Sequence, residues 1–106
     1  MQPQTGHPPI EIAFSEFKNQ KCQNVIDCRS CEEFECNHLT DAINIPLQHL
    51  SVKQETFPFS KEEPFYVYCR TGNRSATFVT YLRSLGYDHC QSIAGGFEAW
   101  ENEAEC

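Results

Sequence analysis

Phe65 Tyr66 Val67 Tyr68 Cys69 Arg70 Thr71 Gly72 Asn73 Arg74 Ser75 is the stretch on which the fold turns. Its first four residues are aromatic or β-branched and too few for a helix, which predicts a buried strand ending at the cysteine. Phe78, Val79, Leu82 and Leu85 then recur at helical spacing, and Gly86 stands where a helix C-cap belongs. The thiol of Cys69 is therefore expected where a strand passes through a short polar loop into a helix N-terminus. The first N–H groups of a helix lack internal partners and carry the positive end of its dipole, so an anion is favoured there. A thiolate is such an anion. Arg70 and Arg74 add positive charge beside it, and Gly72 permits a turn in which successive N–H groups point inward. Each of these features lowers a thiol pKa. An arbitrary cysteine packs as a small apolar group; the coincidence of a glycine, paired arginines and a helix start marks Cys69 as the reactive one.

Outward from this loop the chain alternates strand and helix. Ile10 to Ala13 reads as a short first strand, Phe14 to Asn19 as a brief helix, and Asn24 to Asp27 as an interior strand. Ser30 opens the next helix, and its spacing to Glu33 is that of a capping box, which gives Glu33 a structural role. Ala42 to Ile45 reads as a third strand. Pro46 begins a helical stretch with Leu47 and Leu50 toward the core, broken by Phe57 Pro58 Phe59. After the loop and the helix expected from Ser75, Cys90 to Ile93 supplies a fifth strand, and Gly95 Gly96 leads into a last helix around Phe97 and Trp100. Such alternation predicts an α/β fold, a central parallel sheet of about five strands with helices on both faces. Ligands in these sheets sit at the carboxyl ends of the strands, the address of Cys69.

Cys69, Gly72, Arg74 and Ser75 resemble the active-site loop of the rhodanese-like sulfurtransferases, Cys-x-x-Gly-x-Arg/Thr-Ser. Val25 Ile26 Asp27 Cys28 Arg29, with Glu33 Phe34, His38 Leu39, Ala42 and Asn44 Ile45 Pro46, is similar to that family's N-terminal signature, and Gly95 Gly96 Phe97 with Trp100 matches a third stretch. Asn37 and Asp41 stand where the family usually has glycine, and Cys28 where valine is common. The resemblance implies a rhodanese-like fold with Cys69 as catalytic residue and Arg70, Thr71, Gly72, Asn73, Arg74 and Ser75 as the substrate-binding loop. It also implies transfer of sulfane sulfur, through a Cys69 persulfide, from thiosulfate or a similar donor to cyanide, a thiol or a protein. No metal or organic cofactor is implied. The alternative is a persulfide-binding relay module with little small-molecule turnover. Asp27 and Arg29 match the family's Asp-x-Arg and are expected to brace the site.

With 106 residues and 40% hydrophobic composition, residues 10–106 are expected to form one domain that needs no disulfide staples, after a flexible polar lead, residues 1–9. The net charge of −7 argues against nucleic acid or anionic membrane as partner, and against that field the loop arginines predict a local positive island. Seven cysteines, an odd number, and a start without an apolar leader point to the reducing cytoplasm. No run approaches the roughly 18 apolar residues of a membrane span. The expected partners are a small anionic sulfur donor and a thiol or protein acceptor, with the chain a monomer.

Rival chemistries fit less well. Cysteine-dependent phosphatases hold five residues between cysteine and arginine to encircle a tetrahedral oxyanion, whereas four separate Cys69 from Arg74, a tighter ring suited to one extra sulfur atom. Cys28, Cys31, Cys36 and His38 have suggestive spacing for zinc. On a helix starting at Cys31, however, Cys36 lies about 140° around the axis, so the side chains diverge. Cys28 and Cys31 form a Cys-x-x-Cys pair at a strand end, which leaves a second redox thiol open beside inert packing. A cysteine hydrolase needs a histidine base, and nothing in the spacing of His38, His49 or His89 sets one beside Cys69.

Overall fold

A computed structural model describes residues 8–20, 24–39, 41–46 and 57–105, with side chains as far as Glu101. Five strands form one sheet in the spatial order β1-β5-β4-β2-β3: β1 (Glu11–Ala13), β2 (Val25–Asp27), β3 (Ile43–Asn44), β4 (Phe65–Tyr68) and β5 (Cys90–Ala94). Every pairing is parallel. The helices are α1 (Phe14–Phe17), α2 (Cys31–Cys36), α3 (Asn73–Ser84) and α4 (Gly96–Glu105). The expected alternation and parallel sheet are thus present, while the helical stretch read from Pro46 through Leu47 and Leu50, like most of the N-terminal lead, lies outside the described residues.

Strand alternation sorts the core onto two faces. Phe65, Val67 and Cys69 project to one side with Ile26, Cys28 and Ile45, covered by Phe78, Val79 and Leu82 of α3. Tyr66 and Tyr68 project to the other with Val25 and Ile93, covered by Phe17 of α1 and Phe97 of α4. All four residues of β4 are buried, as a central strand with helices on both faces requires. Full burial of each large apolar side chain contributes roughly 1.5–3 kcal/mol, which is what fixes the strand register on both sides.

The helix ends follow local chemistry. Ser30 Oγ accepts the Glu33 N–H at 3.2 Å while Glu33 Oε1 accepts the Ser30 N–H at 3.0 Å, so both halves of the expected capping box form on α2. At the end of α3, Gly86 takes φ 104°; its N–H bonds to Arg83 O at 3.0 Å and the Tyr87 N–H reaches Leu82 O at 3.1 Å, a Schellman closure. Of the two positions where glycine was displaced, Asn37 is extended at φ −170° and needs no glycine. Asp41 sits at φ 66°, a conformation that a short polar side chain tolerates.

Candidate active site

β4 lies between β2 and β5, so Cys69 emerges at the middle of the sheet, flanked by the turns that leave both neighbours. Its side chain is buried, its sulfur accepts the Gly72 N–H at 3.1 Å and the Ser75 N–H at 3.3 Å, and it lies 3.6 Å from the Ser75 hydroxyl. Gly72, at φ 109°, is the N-cap residue of α3 and offers no side-chain cap. The cysteine sulfur takes that part instead by receiving the N–H of the third helical residue, so the helix begins at Asn73, earlier than the Ser75 start expected. Ser75 Oγ also lies 2.7 Å from Ser92 Oγ, and both hydroxyls are buried. With Ser92 as donor in that pair, the Ser75 proton is shared between Gly72 O, 3.2 Å away, and the sulfur.

Cys28 follows β2 where Cys69 follows β4. Their preceding residues, Asp27 and Tyr68, are register partners, the Cys28 N–H donates to Tyr68 O at 2.9 Å, and both side chains lie in the same buried cluster. That register sets the Cys28 thiol on the Cys69 side as a donor. Its influence first, then that of the Ser75 and Gly72 donors, outweighs burial and pulls the Cys69 thiol down to about 4. The same pairing, with burial, pushes Cys28 up and keeps its proton in place. Cys31, in contrast, is exposed on α2, so the Cys-x-x-Cys pair divides between interior and surface.

The loop is held open from behind. The Phe97 and Glu98 N–H groups at the start of α4 donate to Cys69 O at 2.8 Å and Arg70 O at 3.1 Å, which turns those carbonyls away from the sulfur. Gly96 makes this approach possible, because a Cβ there would stand 2.3 Å from Cys69 O and 2.8 Å from Arg70 O.

Asp27 and Arg29 act from the opposite face. The Arg29 Nε lies 3.0 Å from Asp27 Oδ1 and its Nη2 2.8 Å from Oδ2, both side chains being buried. Tyr68 donates its hydroxyl to Asp27 Oδ2 at 2.8 Å and accepts the Leu39 N–H at 3.1 Å; the guanidinium also donates to Asn37 O and stacks over Phe97 at 4.0 Å. This network ties β2, β4, the end of α2 and α4 together without reaching the sulfur, the bracing expected of it.

Among the described residues, only Gly72 and Ser75 of the six expected binding residues bond to the sulfur; Arg70, Thr71, Asn73 and Arg74 are exposed. The positive island is also not free. Arg70 lies 3.4 Å from Glu98 and 3.9 Å from Glu33, and Arg74 lies 3.7 Å from Glu33. Partial burial raises the Glu33 carboxyl, but the Ser30 N–H and the Arg74 charge carry it below the ordinary range. The other candidates stand apart. His38 stacks on Phe34 and shares a 2.8 Å hydrogen bond with Phe34 O, His89 is exposed, and His49 lies outside the described residues. Cys31 and Cys36 are exposed while Cys28 is buried, and no three potential metal ligands converge among the described residues.

A central parallel strand ending in a cysteine whose sulfur caps the following helix defines an α/β domain built to stabilise a sulfur anion. The chain belongs to the rhodanese-like domain family, whose model matches residues 13–103. It is 38% identical over 76 residues to the thiosulfate sulfurtransferase GlpE of Tolumonas auensis, covering 72% of this chain and 70% of that protein. To the adenylyltransferase and sulfurtransferase uba4 of Ogataea parapolymorpha it is 33% identical over 94 residues; the match takes in 89% of this chain and 24% of that longer protein. The crystal structure of a rhodanese-like domain protein from Staphylococcus aureus superposes with a TM-score of 0.76 at 30% identity, over 85% of this chain and 89% of that one. The human single-domain sulfurtransferase TSTD1 shares the fold at a TM-score of 0.76 and 22% identity, over 91% and 98% of the two chains.

Proposed function

We propose that this chain is a thiosulfate-type sulfurtransferase that carries sulfane sulfur on Cys69. The observation that carries the reading is the pair of backbone donors trained on one buried sulfur, the N–H groups of Gly72 and Ser75, with the Ser75 hydroxyl 3.6 Å away and Cys28 in the same buried cluster. In the first step the Cys69 thiolate attacks the outer sulfur of thiosulfate; a new S–S bond forms, the old one breaks, and its electron pair leaves with sulfite. In the second, cyanide or a thiolate takes the outer sulfur and Cys69 returns as thiolate. The loop N–H groups hold the negative charge throughout, and Arg70 and Arg74 receive the anionic donor in competition with Glu33 and Glu98. The cycle begins from the reduced thiol of Cys69.

The test is direct. Reduced protein incubated with thiosulfate is expected to gain one sulfur, about 32 Da, on the peptide containing Cys69, and cyanide to remove it. Thiosulfate-dependent cyanide consumption is expected to vanish in Cys69→Ser. If thiosulfate leaves no adduct while a persulfidated protein donor loads Cys69, the chain is a sulfur relay with little small-molecule turnover. If neither loads it, the reading fails.

A further inference from the structure

The buried thiol of Cys28 has no part in the transfer cycle beyond lowering the Cys69 pKa, yet it shares a buried cluster with a sulfur that the cycle makes electrophilic. Cys28 and Cys69 leave adjacent parallel strands at matched positions and toward the same face. Neighbouring strands run about 4.7–4.9 Å apart, and a disulfide spans Cα separations of about 4.4–6.8 Å. The pair is therefore placed for an S–S bond with little movement of the backbone. Its neighbours in the sequence pattern differ: Cys31 and Cys36 are exposed on α2, and Cys90 starts β5 at the opposite end of the sheet from the loop.

The geometry points to a further activity of this chain: when no acceptor arrives, Cys28 discharges the Cys69 persulfide as sulfide and leaves the protein closed by an internal Cys28–Cys69 disulfide. This rests on the sulfur-carrying role proposed for Cys69. Once Cys69 carries a second sulfur, the negative charge moves outward to the terminal atom beneath the loop N–H groups, and the inner sulfur beside Cys28 becomes neutral. Cys28 attacks that inner sulfur. The bond between Cys28 and Cys69 forms, the persulfide bond breaks, and its electron pair leaves with the outer sulfur, which takes the Cys28 proton and departs as hydrosulfide. Persulfide and thiol thus become disulfide and sulfide with no external oxidant. A dithiol reductant reopens the disulfide by ordinary exchange, returning both thiols and becoming oxidised itself. Valine at this position has no such chemistry, so the device belongs to the cysteine.

The experiment uses the full chain in a background of Cys22→Ser, Cys31→Ser, Cys36→Ser and Cys106→Ser. It is loaded in parallel with thiosulfate and with inorganic polysulfide, which adds sulfur to a reactive thiolate without a donor site. After excess donor is removed, intact mass and free sulfide are followed without an acceptor. The species about 32 Da heavier than the reduced protein is expected to give way to one about 2 Da lighter, with one equivalent of sulfide and a Cys28–Cys69 linked peptide. Cys28→Val and the second variant Cys28→Ser are expected to hold their added sulfur, with sulfide release slowed roughly tenfold or more. A loaded protein that keeps its sulfur, or equal release from the Cys28 variants, overturns the inference while the sulfur-carrying role stands. Loading by polysulfide alone overturns thiosulfate as donor, and the discharge is then judged on that protein by the same masses. If neither donor adds sulfur to Cys69, both readings fall.

Discussion

Cys69 and Asp27 sit at the ends of neighbouring strands but project to opposite faces, and each takes its behaviour from what its face supplies. The sulfur meets donors only, so its ionisation is expected to begin far below neutrality. In a difference titration of thiolate ultraviolet absorbance against Cys69→Ser, the signal should persist as pH falls toward about 4. Cys28→Val removes the largest cause of the depression, so the midpoint should move upward toward the ordinary thiol range; a midpoint unmoved or lowered would show that Cys28 does not donate to it. Asp27 meets a guanidinium, a hydroxyl and an N–H within a buried layer. Arg29→Ala leaves that carboxylate buried with its charge unpaired and is expected to cost about 3–5 kcal/mol, measured by urea unfolding. Cys69 and the Asp-x-Arg pair were legible because charge, glycine and position along the chain mark them locally. Cys28 was legible only in part: its place after a strand end left a second redox thiol open beside inert packing, and it is the register of β2 against β4 that sets it, and not Cys31, beside Cys69. The only sign of Ser92 was a hydroxyl within a strand; its contact with Ser75 spans the gap between β5 and α3.

At the scale of elements, the loop is built by two helix N-termini with opposed duties. α3 turns its N–H groups toward the sulfur, and α4 turns its own toward the carbonyls of Cys69 and Arg70. Gly96 is the hinge of this arrangement. Gly96→Ala is expected to destabilise the fold by about 1–3 kcal/mol, through a left-handed φ and a collision with backbone, and to abolish transfer although the residue has no side chain to contribute. Gly86→Ala is the matched control: its φ is also positive, but the added Cβ meets only the flexible Lys61 side chain at 3.3 Å, so stability should fall by about 1 kcal/mol with activity kept. Thermal unfolding and cyanide-linked turnover on both variants separate the cases. β4, α3 and the α2 capping box could be read from period and spacing, because the determinants of each lie within its own few residues. The start of α3 could not, because the group that caps it is a sulfur reaching in from the preceding strand end.

For the molecule as a whole, the decisive quantity is how the charge of −7 is felt at the loop. Arg70 and Arg74 were expected to stand out as a positive island, but Glu33, placed by its capping box, and Glu98, placed by the first turn of α4, cancel them where the donor must land. Those acids are distant from the loop in sequence, which is why the cancellation could not be read there. A dianionic donor therefore approaches a loop whose arginines are cancelled and whose thiolate is itself negative, on an acidic body, and salt screens the repulsion more than it weakens any attraction. The kcat/KM for thiosulfate is expected to rise, by less than about threefold, as ionic strength goes from about 0.01 to 0.15 M, over which the screening length shrinks from about 30 to 8 Å. Glu98→Gln releases Arg70 from its nearer partner, and exposed pairs of this kind are worth about 0.2–1 kcal/mol, so KM for thiosulfate should drop by roughly 1.5- to 5-fold. In that variant the salt dependence should reverse, because a free guanidinium then guides the anion in. Arg70→Ala should raise KM in either background, with the melting temperature scarcely moved since the side chain is more than half exposed. A wild-type rate that falls steeply with salt would mean that the arginines dominate the approach despite their acidic partners, and the cancellation drawn from these ion pairs would be wrong.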